Sequence, residues 1–166
     1  MTNSTEIQPI IHTDNERLWR NHFVASQALF DAVQHDLQQE ISLLLIHYEI
    51  LSRLAESPIV SLRMSELASS AQSSRSRLSH AISRLEELGY VERKECPSDR
   101  RGAFAVITER GMETYLHARP HVLESLNQHL FSILKDVDCE HLAAIQSAIL
   151  EHLASEKVIP SQCTER

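Results

Sequence analysis

The stretch from 64 to 108 constrains this chain more than any other. Met64 to Ala71 has the length of a short helix, a serine turn follows, and Ser74 to Leu88 then repeats apolar residues at helical spacing. Leu78, Ala81, Ile82, Leu85 and Leu88 form one stripe that asks for a core. The opposite face carries Arg75, Ser76, Arg77, Ser79, His80, Ser83 and Arg84. Gly89 follows the last turn, where a left-handed cap suits glycine. Tyr90 to Glu95 and Ala103 to Ile107 read as strands, joined by the turn Pro97-Ser98-Asp99-Arg100-Arg101-Gly102 with its charged tip. A short helix, a tight turn, an Arg-studded helix and a basic hairpin are the ordering of a winged helix-turn-helix, which inserts its second helix into the DNA major groove.

The flanks read as helices. Met1 to Thr13 is polar, broken by Pro9, and is expected to be a loose arm. From Asp14 to about Gln39, Leu18, Trp19, Phe23, Leu29, Phe30, Val33 and Leu37 recur at near-helical spacing. Ser42 opens a second apolar run, Leu43 to Leu54, that stops at Ser57-Pro58, and Ile59 to Leu62 is β-branched enough for a third small strand. Thr108 can cap a further helix, with Glu109 in its first turn, running to about Lys135 past Pro120. A last helix is expected from Asp138, carrying Leu142, Ile145, Ile149, Leu150 and Leu153. With only three glycines and five prolines in 166 residues, the expected fold is mainly α with a small β-wing. Its expected parts are an arm (1–13), a dimerisation helix (14–41), a winged helix-turn-helix (42–108), C-terminal dimerisation helices (109–157) and a tail (158–166).

Net charge is the first objection to DNA as a partner, because the chain carries −7. Its distribution answers the objection: residues 63 to 101 hold eight Lys or Arg against six acids, leaving +2 there and −9 elsewhere. Phosphate contact depends on local charge, and the acidic remainder is screened beyond about 10 Å at moderate salt. No run of about 18 apolar residues occurs, and Met1 to Asp14 has neither a basic start nor an apolar centre, so no membrane partner is expected and the location expected is the cytoplasm. Cys96, Cys139 and Cys163 are odd in number and lack CxxC spacing, which argues against a disulfide framework or a zinc knuckle.

A winged helix of about 65 residues is too small to cover the apolar stripes of the flanking helices. Leu116, Val122, Leu126, Leu130, Ile145 and Ile149 are therefore expected to meet a second copy of the chain, which would also place two reading helices about one DNA turn apart, matching a pseudo-palindromic site. An intramolecular bundle is the alternative.

The run Met64-Ser65-Glu66-Leu67-Ala68, then Arg84-Leu85-Glu86, then Val91-Glu92-Arg93, and Asp99-Arg100-Arg101 leading to Val106-Ile107-Thr108 resembles the MarR (multiple antibiotic resistance regulator) family. The resemblance covers residues 14 to 156 and implies a triangular homodimer that is usually a repressor relieved by a ligand or oxidant. It places Ser74, Ser76, Arg77, Ser79 and His80 in the major groove and matches Arg101 to a wing-tip arginine of the minor groove, while Asp99 matches an aspartate that braces the wing, with Arg84 as its most plausible partner. Arg75 and Arg100 complete the expected contacts, and Arg84 stands between a structural and a DNA-binding role. The chemistry agrees: arginine forks onto guanine or phosphate, serine donates to phosphate, and a narrow minor groove attracts arginine.

The effector is far less legible. Trp19, Phe23, His47, Tyr48 and Tyr115 are candidates to line a space for an unknown small amphipathic or aromatic molecule, against the plainer reading as core. His117 and His121 lie four apart, as metal ligands can, but Pro120 disturbs the spacing and neither a metal nor a cofactor is expected. Cys96, with Arg93, Lys94 and Arg100 near it, is a candidate redox switch, against an inert residue beside Pro97. An enzyme reading would rest on the His117/His121 pair plus a carboxylate such as Glu113 or Glu124, and no nucleophile motif, glycine-rich phosphate loop or HExxH sequence supports it. A winged helix used only for protein contacts stays open beside the DNA-binding regulator.

Overall fold

Thr13 sets the start of the first helix by a reciprocal cap. Its hydroxyl accepts the Glu16 N–H at 3.3 Å while the Glu16 carboxylate accepts the Thr13 N–H at 2.6 Å. Helix α1 (Asp14–Ile41) runs from there until Ser42 turns left-handed at φ 55°. Helix α2 (Leu45–Glu56) has no cap of its own side chain, and Gln34 of α1 supplies one by accepting the Leu45 N–H at 2.9 Å. There follow β1 (Ser61–Arg63), α3 (Met64–Ser70), α4 (Arg75–Glu87), β2 (Val91–Cys96), β3 (Asp99–Ile107), α5 (Glu109–His129) and α6 (Asp136–Ser155). This computed structural model describes residues 13–70, 75–96 and 99–156, and excludes the side chains of 68–70, 75, 95, 96 and 99–102.

The strands form one antiparallel sheet in the order β1-β3-β2, with Ser61 opposite Val106 and Val91 opposite Ile107. Leu37, Ile50, Leu51, Leu54, Leu67, Leu78, Ile82, Leu85 and Val91 are fully buried beneath it, so α1 through β2 share a core. A polar clip fixes the start of α5 to the rest. Thr108 accepts the Gly111 N–H at 3.0 Å and donates to the Gly89 carbonyl at 2.7 Å, tying the start of α5 to the end of α4. Gly89 itself sits at φ +73°, and the Tyr90 N–H returns to the Leu85 carbonyl at 2.9 Å, which closes the helix as a left-handed glycine cap should.

Four local expectations need correction. The strand expected over Ile59 to Leu62 lies at Ser61–Arg63, because the Val60 N–H closes a turn on the Ser57 carbonyl at 2.9 Å and Val60 takes φ 48°, outside strand geometry. Asp99, Arg100 and Arg101, expected in a turn, begin β3, because the antiparallel ladder continues past an irregularity at Glu95 and Cys96 to pair Cys96 with Asp99. The helix expected to reach Lys135 stops at His129 and gives way to a 3-10 turn over Phe131–Ile133; Leu130 leaves helical geometry at φ −129° and ψ −62°. The last helix begins at Asp136 rather than Asp138, its entry held by the Lys135 N–H on the Asp138 carboxylate at 3.0 Å.

The outward stripe is also redrawn. Val122 is only 4% exposed and belongs to the core of its own chain, because α5 lies along α1 and α2, and Leu126 packs on that core too. Leu116, Ile145 and Ile149 remain open to solvent, as do Leu18, Trp19, Phe23, Val24 and Phe30 of α1. Helix α6 buries none of its residues.

Across α1 and α5, Ser125 donates to Asp36 at 2.7 Å and a ring nitrogen of His129 lies 2.9 Å from the same carboxylate oxygen. The hydrogen bond from Ser125, then that from His129, holds the Asp36 carboxyl below its ordinary value. A depressed carboxyl stabilises the fold above its unfolded value, about 3.9, and that contribution fades as pH falls through the folded value. Urea unfolding between pH 6 and 3 should therefore show a steeper acid loss for the wild type than for Asp36→Asn. Parallel profiles would remove Asp36 from the acid response.

Candidate nucleic-acid interface

The amphipathic pattern of α4 becomes two physical faces. Leu78, Ala81, Ile82 and Leu85 are buried, whereas Ser76, Arg77, Ser79, His80 and Arg84 are exposed on the side away from the core. Helix α3 packs against both α4 and β1, which sets α4 as the second helix of a helix-turn-helix. The sheet edge β2 then lies beside α4 and carries the basic strand Arg93-Lys94. A polar helix face with a basic two-stranded wing beside it can meet a duplex at two places, a groove floor and its flanking phosphates.

Ion pairs order part of this face. Arg84 pairs with Glu87 at 2.7 Å, one turn along the same helix, with both side chains more than half exposed, so the pair contributes little to stability and leaves the guanidinium at the surface. Arg84 thus has a recorded partner on its own helix, while the side chain of Asp99, its expected partner, lies outside the described residues. So do Ser74 and the side chains of Arg75, Cys96, Arg100 and Arg101; the backbones of Asp99, Arg100 and Arg101 lie in β3.

The contact of Arg93 with α4 escaped the sequence reading, which took Arg93 as a basic residue near Cys96. From β2 its guanidinium Nη2 donates to the Ser83 hydroxyl at 3.1 Å and to the Ser79 carbonyl at 3.3 Å, and its Nε lies 3.3 Å from the Glu86 carboxylate. The signal was present as Ser79, Ser83 and Glu86 at helical spacing, but only the sheet brings Arg93 opposite them.

Against this geometry, comparison with known proteins gives a consistent result. The family model described as MarR family matches residues 41–102. Sco3205, a MarR family transcriptional regulator from Streptomyces coelicolor solved in complex with DNA, is 38% identical, with 93% of this chain and 94% of that one covered at a TM-score of 0.81. AbsC, another MarR family regulator from Streptomyces coelicolor, is 39% identical over 89% of this chain and 99% of its own, with a TM-score of 0.79.

The chain belongs to the MarR family.

MarR proteins are winged-helix DNA-binding transcriptional regulators and not enzymes. The transcriptional repressor MprA of Escherichia coli strain K12 is 32% identical over 93 residues, 56% of this chain. The chain matches about half the length of that curated relative, 52% of it.

The five pocket candidates divide into two groups. Tyr48 and Tyr115 are buried with ring centroids 5.7 Å apart, and burial, then the neighbouring Tyr115, pushes the Tyr48 hydroxyl up to about 12. His47, next to Tyr48 in sequence, is also buried, and burial, then the positive charge of Arg84, lowers it from its ordinary value. Trp19 and Phe23, 67% and 53% exposed, line instead a shallow cavity of about 280 Å³ on α1 with Glu16 and Arg20. His117 and His121 meet edge to face at 5.5 Å, and His121 lies 4.0 Å from Glu40. Among the described residues no group of three His, Cys, Asp or Glu side chains is disposed to hold a metal ion, and no helix is long and apolar enough to cross a membrane.

Proposed function

We propose that this MarR protein is a dimeric repressor that reads a pseudo-palindromic operator and is released from it by a small-molecule effector. The observation that carries the proposal is α4, with its apolar stripe sunk in the core and Ser76, Arg77, Ser79, His80 and Arg84 turned outward. In this reading Ser74, Ser76, Arg77, Ser79 and His80 meet the major groove, Arg75 and Arg100 meet phosphate, and Arg101 enters the minor groove. Asp99 braces the wing, since an aspartate near phosphates is tolerable mainly when paired. The DNA complex of Sco3205 and the repressor role of MprA support the reading.

The dimer rests on the exposed apolar residues Leu18, Phe30, Leu116, Ile145 and Ile149, a larger set than a solitary chain ordinarily leaves in water. Of the pocket candidates, Trp19 and Phe23 are open to receive a planar effector, whereas His47, Tyr48 and Tyr115 are packed. Duplexes enriched by the protein from a randomised pool should contain two inverted half-sites about 10 base pairs apart, and sedimentation should give twice the chain mass at micromolar concentration. Enrichment of no sequence would end the operator reading, and a monomer would end the paired one.

A further inference from the structure

Around its circumference α4 divides further than into a buried and an exposed face, because a flank at the border of the exposed face, starting at Ser79, carries the half-buried Ser83 and Glu86. At 3.6 residues per turn, Leu78, Ala81, Ile82 and Leu85 occupy the buried sector, and Ser76, Arg77, His80 and Arg84 occupy the open one. Ser79, Ser83 and Glu86 fall within about 60° of one another on the flank between those sectors. That flank is the one Arg93 holds. Its Nη2 reaches the Ser79 carbonyl at 3.3 Å and the Ser83 hydroxyl at 3.1 Å, and its Nε meets Glu86 at 3.3 Å. The contacts span the eight residues from Ser79 to Glu86, roughly 10 Å along the axis.

We infer that Arg93 is a positioning residue for DNA recognition: reaching from β2, it fixes the rotation and depth of α4 relative to the wing without itself contacting DNA. The inference rests on the operator reading above. Three contacts along one flank resist both rotation about the helix axis and sliding along it, which one contact cannot do. The planar guanidinium suits the task because its donors form a fixed fork, whereas an ammonium is a point charge. Arg93 and Glu86 are each only about one-third exposed, so their pair is better sheltered than the surface pair Arg84–Glu87. The consequence is geometric. The reading face and the wing must meet a groove and its neighbouring phosphates together, and a loosened α4 loses base contacts while keeping its charge.

The obvious electrostatic expectation for Glu86 is the reverse. Removing an acid from the DNA-facing module should strengthen duplex binding if charge alone counts. Positioning makes the opposite demand, because without Glu86 the fork of Arg93 loses an anchor. The two substitutions therefore separate position from charge.

The test uses the full chain, a duplex that the wild type enriches from a randomised pool, and an unselected duplex of equal length. Arg93→Ala should weaken the enriched site by about tenfold, the worth of a base contact, and leave unselected duplex within about twofold. Its slope of affinity against salt should match the wild type, since no phosphate contact is lost. Glu86→Ala should also weaken the enriched site, and it carries the test alone if Arg93→Ala melts below assay temperature. Equal losses on both duplexes with a salt slope smaller by about one would make Arg93 a phosphate contact and overturn the inference. Unchanged affinity in both variants, or tighter binding by Glu86→Ala, would overturn it as well. A wild type that enriches no duplex defeats the operator reading and this inference together, whereas an enriching wild type with indifferent variants defeats the positioning role alone.

Discussion

Of the glycines whose surroundings are described, Gly111 is expected to tolerate replacement by alanine least. A Cβ built there would lie 2.0 Å from the Tyr90 carbonyl oxygen, 2.9 Å from the carbonyl carbon and 2.9 Å from Ile107 Cγ1. Two of those three atoms are backbone, so no rotamer change relieves the contact. The Tyr90 carbonyl also accepts the Thr108 N–H at 3.0 Å, and Thr108 holds the Gly111 N–H, so moving α5 outward breaks the clip that joins it to α4. Overpacking of this kind costs about 3 kcal/mol or more. Gly89→Ala is the control: its φ of +73° is unfavourable for alanine, but the nearest atom to its Cβ is the end of Arg110 at 3.7 Å. That strain is worth about 1 to 2 kcal/mol. Urea unfolding of both variants checks the order, and a Gly111→Ala protein as stable as Gly89→Ala would refute the crowding argument.

The second large effect is on recognition. Arg77 is exposed on the outer face of α4, in the sector proposed to enter the groove. If it reads guanine, Arg77→Ala should cost about 1 to 3 kcal/mol on the enriched site, roughly tenfold to a hundredfold, with a much smaller loss on unselected duplex. Arg100→Ala provides the contrast, since a phosphate contact lowers affinity for all sequences alike and reduces the salt slope by about one. Gel-shift titration against both duplexes at several salt concentrations decides between them. Equal losses for Arg77→Ala would take it out of base readout.

The same residues show where sequence reasoning succeeds. The buried and open faces of α4 were legible because a period of 3.6 turns a linear pattern into two sides, and Leu78, Ile82 and Leu85 are buried as that period requires. Gly89 and Thr108 were legible because each acts on backbone groups within a few residues of itself, as a helix-ending φ and a helix-opening acceptor. The hairpin was legible from two runs of strand-forming residues around one turn, read at Tyr90 to Glu95 and Ala103 to Ile107 and found with its first strand at Val91–Cys96.

What tertiary structure alone decided depends on which distant surface meets each face. Periodicity marked Val122 as apolar but gave no means of choosing between a partner chain and α1 of its own chain, and packing of α5 along α1 put it inside. Tyr48 and Tyr115 stand 67 positions apart and share the core because α2 and α5 pack together, while Trp19 and Phe23, equally aromatic, are more than half exposed on α1. Arg93 looked like one more basic residue until the sheet laid β2 beside α4, since a guanidinium finds its acceptors by reach across space and not by spacing along the chain. Local rules thus determined the elements and their ends, and long-range packing determined which side chains meet, because the first depends on neighbouring backbone groups and the second on surfaces that only the folded chain brings together.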